Sequence, residues 1–327
     1  LCDALTYAER FNPAAVVEAY IYVAGRKVLD YPSPLGFPGS PDRLFRNRGN
    51  GTFQDVTKEA GVLNAGGRGM SSVAADLNDD GWMDVYVAND SMENYFYENK
   101  GNGTFTDEAL VLGLALGQNG QGVSSMGPAV ADLDGDGSLD IMIPDMDYGS
   151  LLSKKGGFYQ DLVGRSGLGV ILGQYTGWGA VLFDYDNDSH LDLFVANGNA
   201  HHEYSEDPVL ARNDGKGGFV DVARGAGEFF QKKWVSRGAT WADFDDDGNV
   251  DLVVVDTSGV PHLLRNEGGA GNGWLKVDAR VKGGHRTATG ARVTVVTGER
   301  RQVQDVIAVN GYLAQGDPRV RLADVKS

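Results

Sequence analysis

The sequence predicts an all-β fold: a β-propeller of repeated blades followed by a small β-rich module. Three observations carry this. Four nine-residue acidic segments align, at 76–84, 132–140, 184–192 and 243–251, with starts 56, 52 and 59 residues apart. Each is preceded by a stretch of small and apolar residues (Met70–Ala75, Met126–Ala131, Trp178–Phe183, Gly238–Ala242) and followed by an apolar, largely β-branched run (from Val85, Ile141, Leu193 and Leu252). A Gly-rich turn then recurs, as Asn47–Phe53, Asn99–Phe105 and Asn213–Phe219, with a worn copy at Lys155–Phe158. Strand–loop–strand followed by a Gly-turn hairpin gives four strands in roughly 55 residues, the size of one propeller blade.

Along the chain, residues 1–42 fit the repeat poorly. Pro32–Pro41 carries four prolines and reads as a loop. The blades occupy 43–271. The first hairpin, Asn47–Phe53, has no acidic loop ahead of it, so it reads as the outer half of a blade whose inner half is lost or diverged. The chain is therefore expected to begin mid-blade, with four to five blades visible. An acidic residue follows the hairpin Phe by two positions, at Asp55, Asp107 and Asp221. From 272 to 327 the acidic loops stop. Trp274–Val281, Ala291–Thr297 and Arg301–Val309 read as strands broken at Gly283-Gly284 and Gly298, which makes a small β module.

The net charge is −16, which argues against a nucleic-acid or anionic-membrane partner, since either needs a basic patch. Hydrophobic content of 42% supports a sizeable core. The 47 glycines follow no Gly-x-y period, so tight turns explain them. Cys2 is the single cysteine, which excludes an intrachain disulfide and a Cys-based metal site. No run of about 18 apolar residues is present, so no membrane-spanning helix is expected. The chain starts at Leu1 without a basic segment and apolar stretch, and reads as a mature or truncated form.

The acidic segments share the pattern D-x-[DN]-x-D-[GS]-x-apolar-D. Their candidate ligand positions 1, 3, 5 and 9 are Asp76, Asn78, Asp80 and Asp84; Asp132, Asp134, Asp136 and Asp140; Asp184, Asp186, Asp188 and Asp192; and Asp243, Asp245, Asp247 and Asp251. Calcium takes six to eight hard oxygens from carboxylates, carbonyls and water. Alternate carboxylates on a coiled loop supply these, and Gly at position 6 allows a turn with positive φ. Position 7 is assigned a backbone carbonyl, which leaves its side chain free: Trp82, Ser138, His190 and Asn249. An EF-hand is excluded, because position 12 is Val87, Ile143, Val195 or Val254 where that motif needs a bidentate Glu. Acidic turns that bind nothing are the competing reading. Four copies in register argue against it, because closely packed like charges repel unless a cation offsets them. About four structural Ca²⁺ are expected, and they would halve the net charge. Ser189 stands where the other loops have Gly, which makes the third loop the expected weakest site.

Loops of this kind between strands, in blades carrying N-x-G-[ND]-G-T-F hairpins, resemble the FG-GAP/VCBS-like repeats of integrin-type propellers. Asn272–Val277, Gly290–Val293 and Gly311–Arg319 resemble the ASPIC/UnbV module. Together, over roughly residues 43–320, the chain is similar to bacterial relatives of cartilage acidic protein. The resemblance implies a secreted, periplasmic or cell-surface propeller, usually of seven blades, with calcium in its loops and a role in adhesion or interaction. Four acidic loops are too few for a seven-bladed ring, which implies a fragment or a short form.

Two functional classes follow. One is a non-enzymatic binding module for an extracellular protein or glycan. The other is a carbohydrate-active enzyme, a polysaccharide lyase or sugar dehydratase, with His201, His202, Tyr204 and Arg212 as its best candidates. Nucleophile motifs are lacking, and successive residues on a strand face opposite sides, so the two histidines are poorly placed to share one metal. Trp82, Trp178, Trp234, Trp241 and Trp274 are candidates either for stacking on sugars or for blade packing.

Overall fold

The computed structural model describes the backbone of residues 19–23 and 26–30, and residues 38–64, 66–200, 204–257, 259–268, 272–298, 300–307 and 309–324. β1 (Ala19–Val23) and β2 (Arg26–Asp30) pair as an antiparallel hairpin, as do β3 (Phe45–Asn47) and β4 (Phe53–Asp55). Four propeller blades follow, each an antiparallel meander with strands in sequence order.

The first blade is β5 (Gly69–Ala75), β6 (Asp84–Asn89), β7 (Tyr95–Asn99) and β8 (Phe105–Asp107). The second is β9 (Ala129–Ala131), β10 (Asp140–Ile143), β11 (Ser150–Lys155) and β12 (Phe158–Asp161). The third is β13 (Gly177–Phe183), β14 (Asp192–Asn197), β15 (Val209–Asn213) and β16 (Phe219–Asp221). The fourth has three strands among the described residues: β17 (Ser236–Ala242), β18 (Asp251–Asp256) and β19 (His262–Leu264). The acidic loops join the first two strands of each blade, and the Gly-rich turns of the first three blades join the last two, as the repeat predicts.

The second strand of each blade is apolar at nearly every position because neighbouring blades cover both its faces. On β14, Leu193 and Val195 pack with Ala129 and Met142 of the second blade, while Phe194 and Ala196 pack with Leu252 and Val254 of the fourth. Tyr86 and Ala88 of the first blade meet Ile141 and Ile143 of the second in the same way. Each interface hides side chains worth about 1.5–3 kcal/mol apiece when fully buried. Small residues let the inner strands approach: Gly127 and Gly179 form a parallel bridge between the second and third blades.

The C-terminal module departs from the expected strands. β20 (Trp274–Val277) is shorter than predicted and pairs with β23 (Val320–Ala323), the last described strand. β21 (Arg292–Thr297) and β22 (Arg300–Asp305) form a hairpin. The predicted strand Arg301–Val309 stops at Asp305; Val306 still bonds to Ala291 within the module, and Ile307 then packs against the core of the first two blades. Val306, Val320 and Leu322 form the module's own small core. No helix among the described residues is long and apolar enough to cross a membrane.

Candidate functional site

The loops share one scaffold of backbone-to-carboxylate hydrogen bonds. The position-1 aspartate accepts the N–H groups of positions 5 and 6: Asp184 takes Asp188 N at 3.0 Å and Ser189 N at 2.8 Å, and Asp243 takes Asp247 N and Gly248 N at 3.1 and 3.2 Å. Asp76 does the same with Asp80 N and Gly81 N, and Asp132 accepts Gly137 N. The position-5 aspartate accepts the position-7 N–H at 2.8–2.9 Å in all four loops. Position 6 has positive φ throughout, as expected, and Ser189 (φ 74°) adopts it without being Gly. Position 4 is left-handed too, at Asp79, Gly135, Asn187 and Asp246. The sequence hinted at this only through its preference for Asp, Asn and Gly there, the residues that tolerate the region best.

Position 9 has a structural task that sequence reasoning missed. Asp84, Asp192 and Asp251 each accept, on one oxygen, the N–H of position 2 of their own loop (Leu77, Tyr185, Phe244). On the other oxygen each accepts the N–H of a later Asn: Asn99, Asn213 or Asn266. The same Asn side chains donate to the position-8 carbonyls of Met83, Leu191 and Val250. The Asn of the hairpin motif is therefore the clamp between the loop and the outer half of the blade. The second blade lacks it, and there Tyr159 Oη shares its one proton between Leu77 O at 2.8 Å and Leu139 O at 3.1 Å. Asp55, Asp107 and Asp221 accept the N–H two residues on, as turn-formers, and Asp161 does so in the worn copy.

The carboxylates converge. Ligand atoms of Asp132, Asp134 and Asp136, of Asp184, Asp186 and Asp192, and of Asp243, Asp245 and Asp251 lie within 4.8 Å of one another in each set. In the first loop, Asn78 Nδ2 instead donates to Asp80 Oδ2 at 3.1 Å. The field in these loops opposes ionisation. Burial, partly offset by backbone N–H groups and reinforced by neighbouring carboxylates, raises Asp192 to about 8 and Asp84 and Asp184 to about 6. Asp140 is raised to about 6 by burial, against hydrogen bonds from Ser153 and Leu133. Asp132 Oδ1 and Asp186 Oδ1 are buried without any hydrogen-bond partner. A buried, unpaired carboxylate oxygen is costly, and a divalent cation answers both the orphan oxygens and the crowded charge. The residues present fit calcium.

Protein cations already approach the rims. Lys155 Nζ lies 2.6 Å from Asp134 and 2.9 Å from Asp136, and Arg265 pairs with Asp245 at 2.8 Å. At position 7 the side chains of Ser138 and Asn249 bond to the position-5 carboxylates of Asp136 and Asp247, whereas Trp82 and His190 turn to the neighbouring hairpin. A Cβ on Gly101 would meet Trp82 at 2.7 Å, and one on Gly215 would meet His190 at 2.5 Å, so each ring rests on the adjoining Gly-rich turn. Of the other tryptophans, Trp178 is buried, and Trp234 stacks on Phe229 at 5.1 Å. Trp241 and Trp274 stand against Gly316 and Gly248. All make packing contacts, but Trp82 and Trp274 remain exposed. His201 and His202 lie outside the described residues.

Residues 35–87, 76–143 and 184–254, more than half of the chain, match the family of FG-GAP-like repeats. The chain belongs to this family. Residues 281–323 match the ASPIC and UnbV family, within the C-terminal module. The FG-GAP-like chain is similar to cartilage acidic protein 1 of Homo sapiens, 27% identical over 292 residues, 85% of this chain and 42% of that protein. It is similar to the Mus musculus protein to the same degree over 312 residues, 91% of this chain and 46% of that one. It thus spans less than half the length of these curated relatives. Among solved structures, an Agrocybe aegerita lectin described as recognising non-reducing terminal N-acetylglucosamine is 19% identical, over 77% of this chain and 66% of that one, with a TM-score of 0.41.

Proposed function

We propose that this FG-GAP-like protein is a calcium-stabilised, non-enzymatic interaction module that works outside the cytoplasm. What carries the calcium half is the orphaned Asp132 Oδ1 and Asp186 Oδ1 within converging carboxylate sets. Positions 1, 3, 5 and 9, with the carbonyl of position 7, would hold the ion in each loop. Bound there, it offsets charge and pins the first two strands of each blade. The three sets in the second to fourth loops include Asp184, Asp186 and Asp192 despite Ser189. We therefore place the weakest site at the first loop, where Asn78 removes a carboxylate and bonds to Asp80.

The interaction half rests on family membership and on the similarity to cartilage acidic protein 1. Its partner is an extracellular protein or a glycan. Elemental analysis of protein dialysed against calcium, with melting followed with and without EDTA, tests the first half. Calcium-free protein whose melting EDTA does not change sinks it. A glycan array and a screen for unsaturated uronate release test the second. Turnover of a polysaccharide that is lost in His201→Ala would replace the binding module with an enzyme.

A further inference from the structure

After β22, residues 309–319 run along the inner strands of the blades and touch all four. Ser71 Oγ of the first blade donates to Gly311 O at 3.2 Å. On the second blade, Gly311 N donates to Pro128 O at 2.8 Å. There Asn310 also pairs with the backbone of Val130 in both directions, accepting its N–H at 2.7 Å and donating to its carbonyl at 3.2 Å. On the fourth, Thr240 Oγ1 donates to Gln315 O at 2.6 Å, and Asp317 N donates to Trp241 O at 3.1 Å. Tyr312 is buried, edge-on to Trp178 of the third blade at 5.3 Å and packed with Met126. Arg237 lies over the Trp178 ring, 4.0 Å from its centroid.

The segment bends at Gly311 and Leu313, both at positive φ, and is held as a bound peptide is held in a groove: by main-chain hydrogen bonds, an amide side chain reading a backbone pair, and one aromatic anchor in a pocket. The groove is shaped for it. A Cβ on Gly127 would lie 2.1 Å from Tyr312 N, and one on Gly238 would lie 3.2 Å from Tyr312 O. The two glycines leave room for peptide backbone and for little else.

We propose that the inner strands of the four blades form a peptide-binding site whose ligand is the chain's own Asn310–Asp317 segment, delivered by the C-terminal module. The module is thus held to the propeller by peptide recognition, with lesser clamps at the rim: the ion pair of Lys276 Nζ and Asp243 Oδ2 at 2.9 Å, Arg321 Nη2 donating to Asn187 Oδ1 at 2.6 Å, and Ser189 Oγ donating to Ala323 O at 3.1 Å. This holds whatever occupies the acidic loops. A partner reaching these strands would have to displace the segment.

The test uses the full chain with a protease site inserted between Gly269 and Ala270. After cleavage the module should stay bound, with a measurable dissociation constant, and a synthetic peptide of residues 307–319 should displace it. Gly127→Ala, which changes only the groove, and Tyr312→Ala, which changes only the peptide, should each weaken retention at least tenfold. Lys276→Ala should weaken it less. Asn310→Ala is the milder variant should either of the first two fail to fold, as judged by circular dichroism before cleavage, and it too should weaken retention. Release of the uncompromised module on cleavage, failure of the peptide to compete, or unchanged retention in the groove and peptide variants overturns the proposal.

Discussion

Ser189 Oγ donates to the carbonyl of Ala323 at 3.1 Å, joining the turn of the third acidic loop to the last described strand, 134 residues away. Ser189 sits at φ 74°, where a non-Gly residue carries strain. Its hydroxyl offsets that cost by reaching the module, a contact that Gly cannot make. Ser189→Ala keeps the strain and loses the bond, and should cost about 1 kcal/mol in denaturant unfolding. Ser189→Gly relieves the strain and should fall nearer to wild type. Equal losses in the two variants would refute this account.

Calcium removal should destabilise the whole propeller. A site held at a hundredfold its dissociation constant adds about 2.7 kcal/mol. Chelation of several such loops should lower Tm by roughly 10 °C or more. Calcium titrated back should restore it. Asp134→Ala should lower the bound calcium by one ion per chain.

The metal-free protein should lose stability as pH rises. Asp192, at about 8, and Asp84, Asp140 and Asp184, at about 6, hold protons in the fold that the unfolded chain releases near 4. Between about pH 4 and 8 the native state therefore binds more protons than the unfolded state, and stability falls through that window. In EDTA, Tm should decline from pH 5 to pH 8. In saturating calcium, which favours the ionised carboxylates, the decline should vanish. A flat profile in EDTA would show that these carboxylates are not crowded.

Tyr159→Phe should cost about 1 kcal/mol, because it removes the hydroxyl shared by the carbonyls of Leu139 and Leu77, of which Leu77 keeps only the Lys154 ammonium at 3.2 Å. The change removes one oxygen and no packing, so the loss should appear in urea unfolding with an unchanged m-value. A variant as stable as wild type would mean that water replaces the hydroxyl.

The legible part of the site was local in sequence. Positive φ at position 6 follows from Gly81, Gly137 and Gly248, and the strand after each loop follows from Val87, Ile143, Val195 and Val254 at position 12. The position-9 clamp was not legible, because Asp192 meets Asn213 only once the meander has folded back. The motif's Asn was the visible signal, but its partner was not.

By itself the sequence determined the blade repeat, the acidic loops and the place of each Gly-rich turn, because these rest on contacts within a few residues and on short apolar runs bounded by turn residues. Tertiary structure alone decided the rest: that Arg301–Val309 breaks at Asp305, that Ser189 has a partner in Ala323, and that Tyr312 lies against Gly127 and Trp178. These contacts join residues some 130 or more positions apart. No pattern in the local chain specifies them until four blades bring their inner strands together.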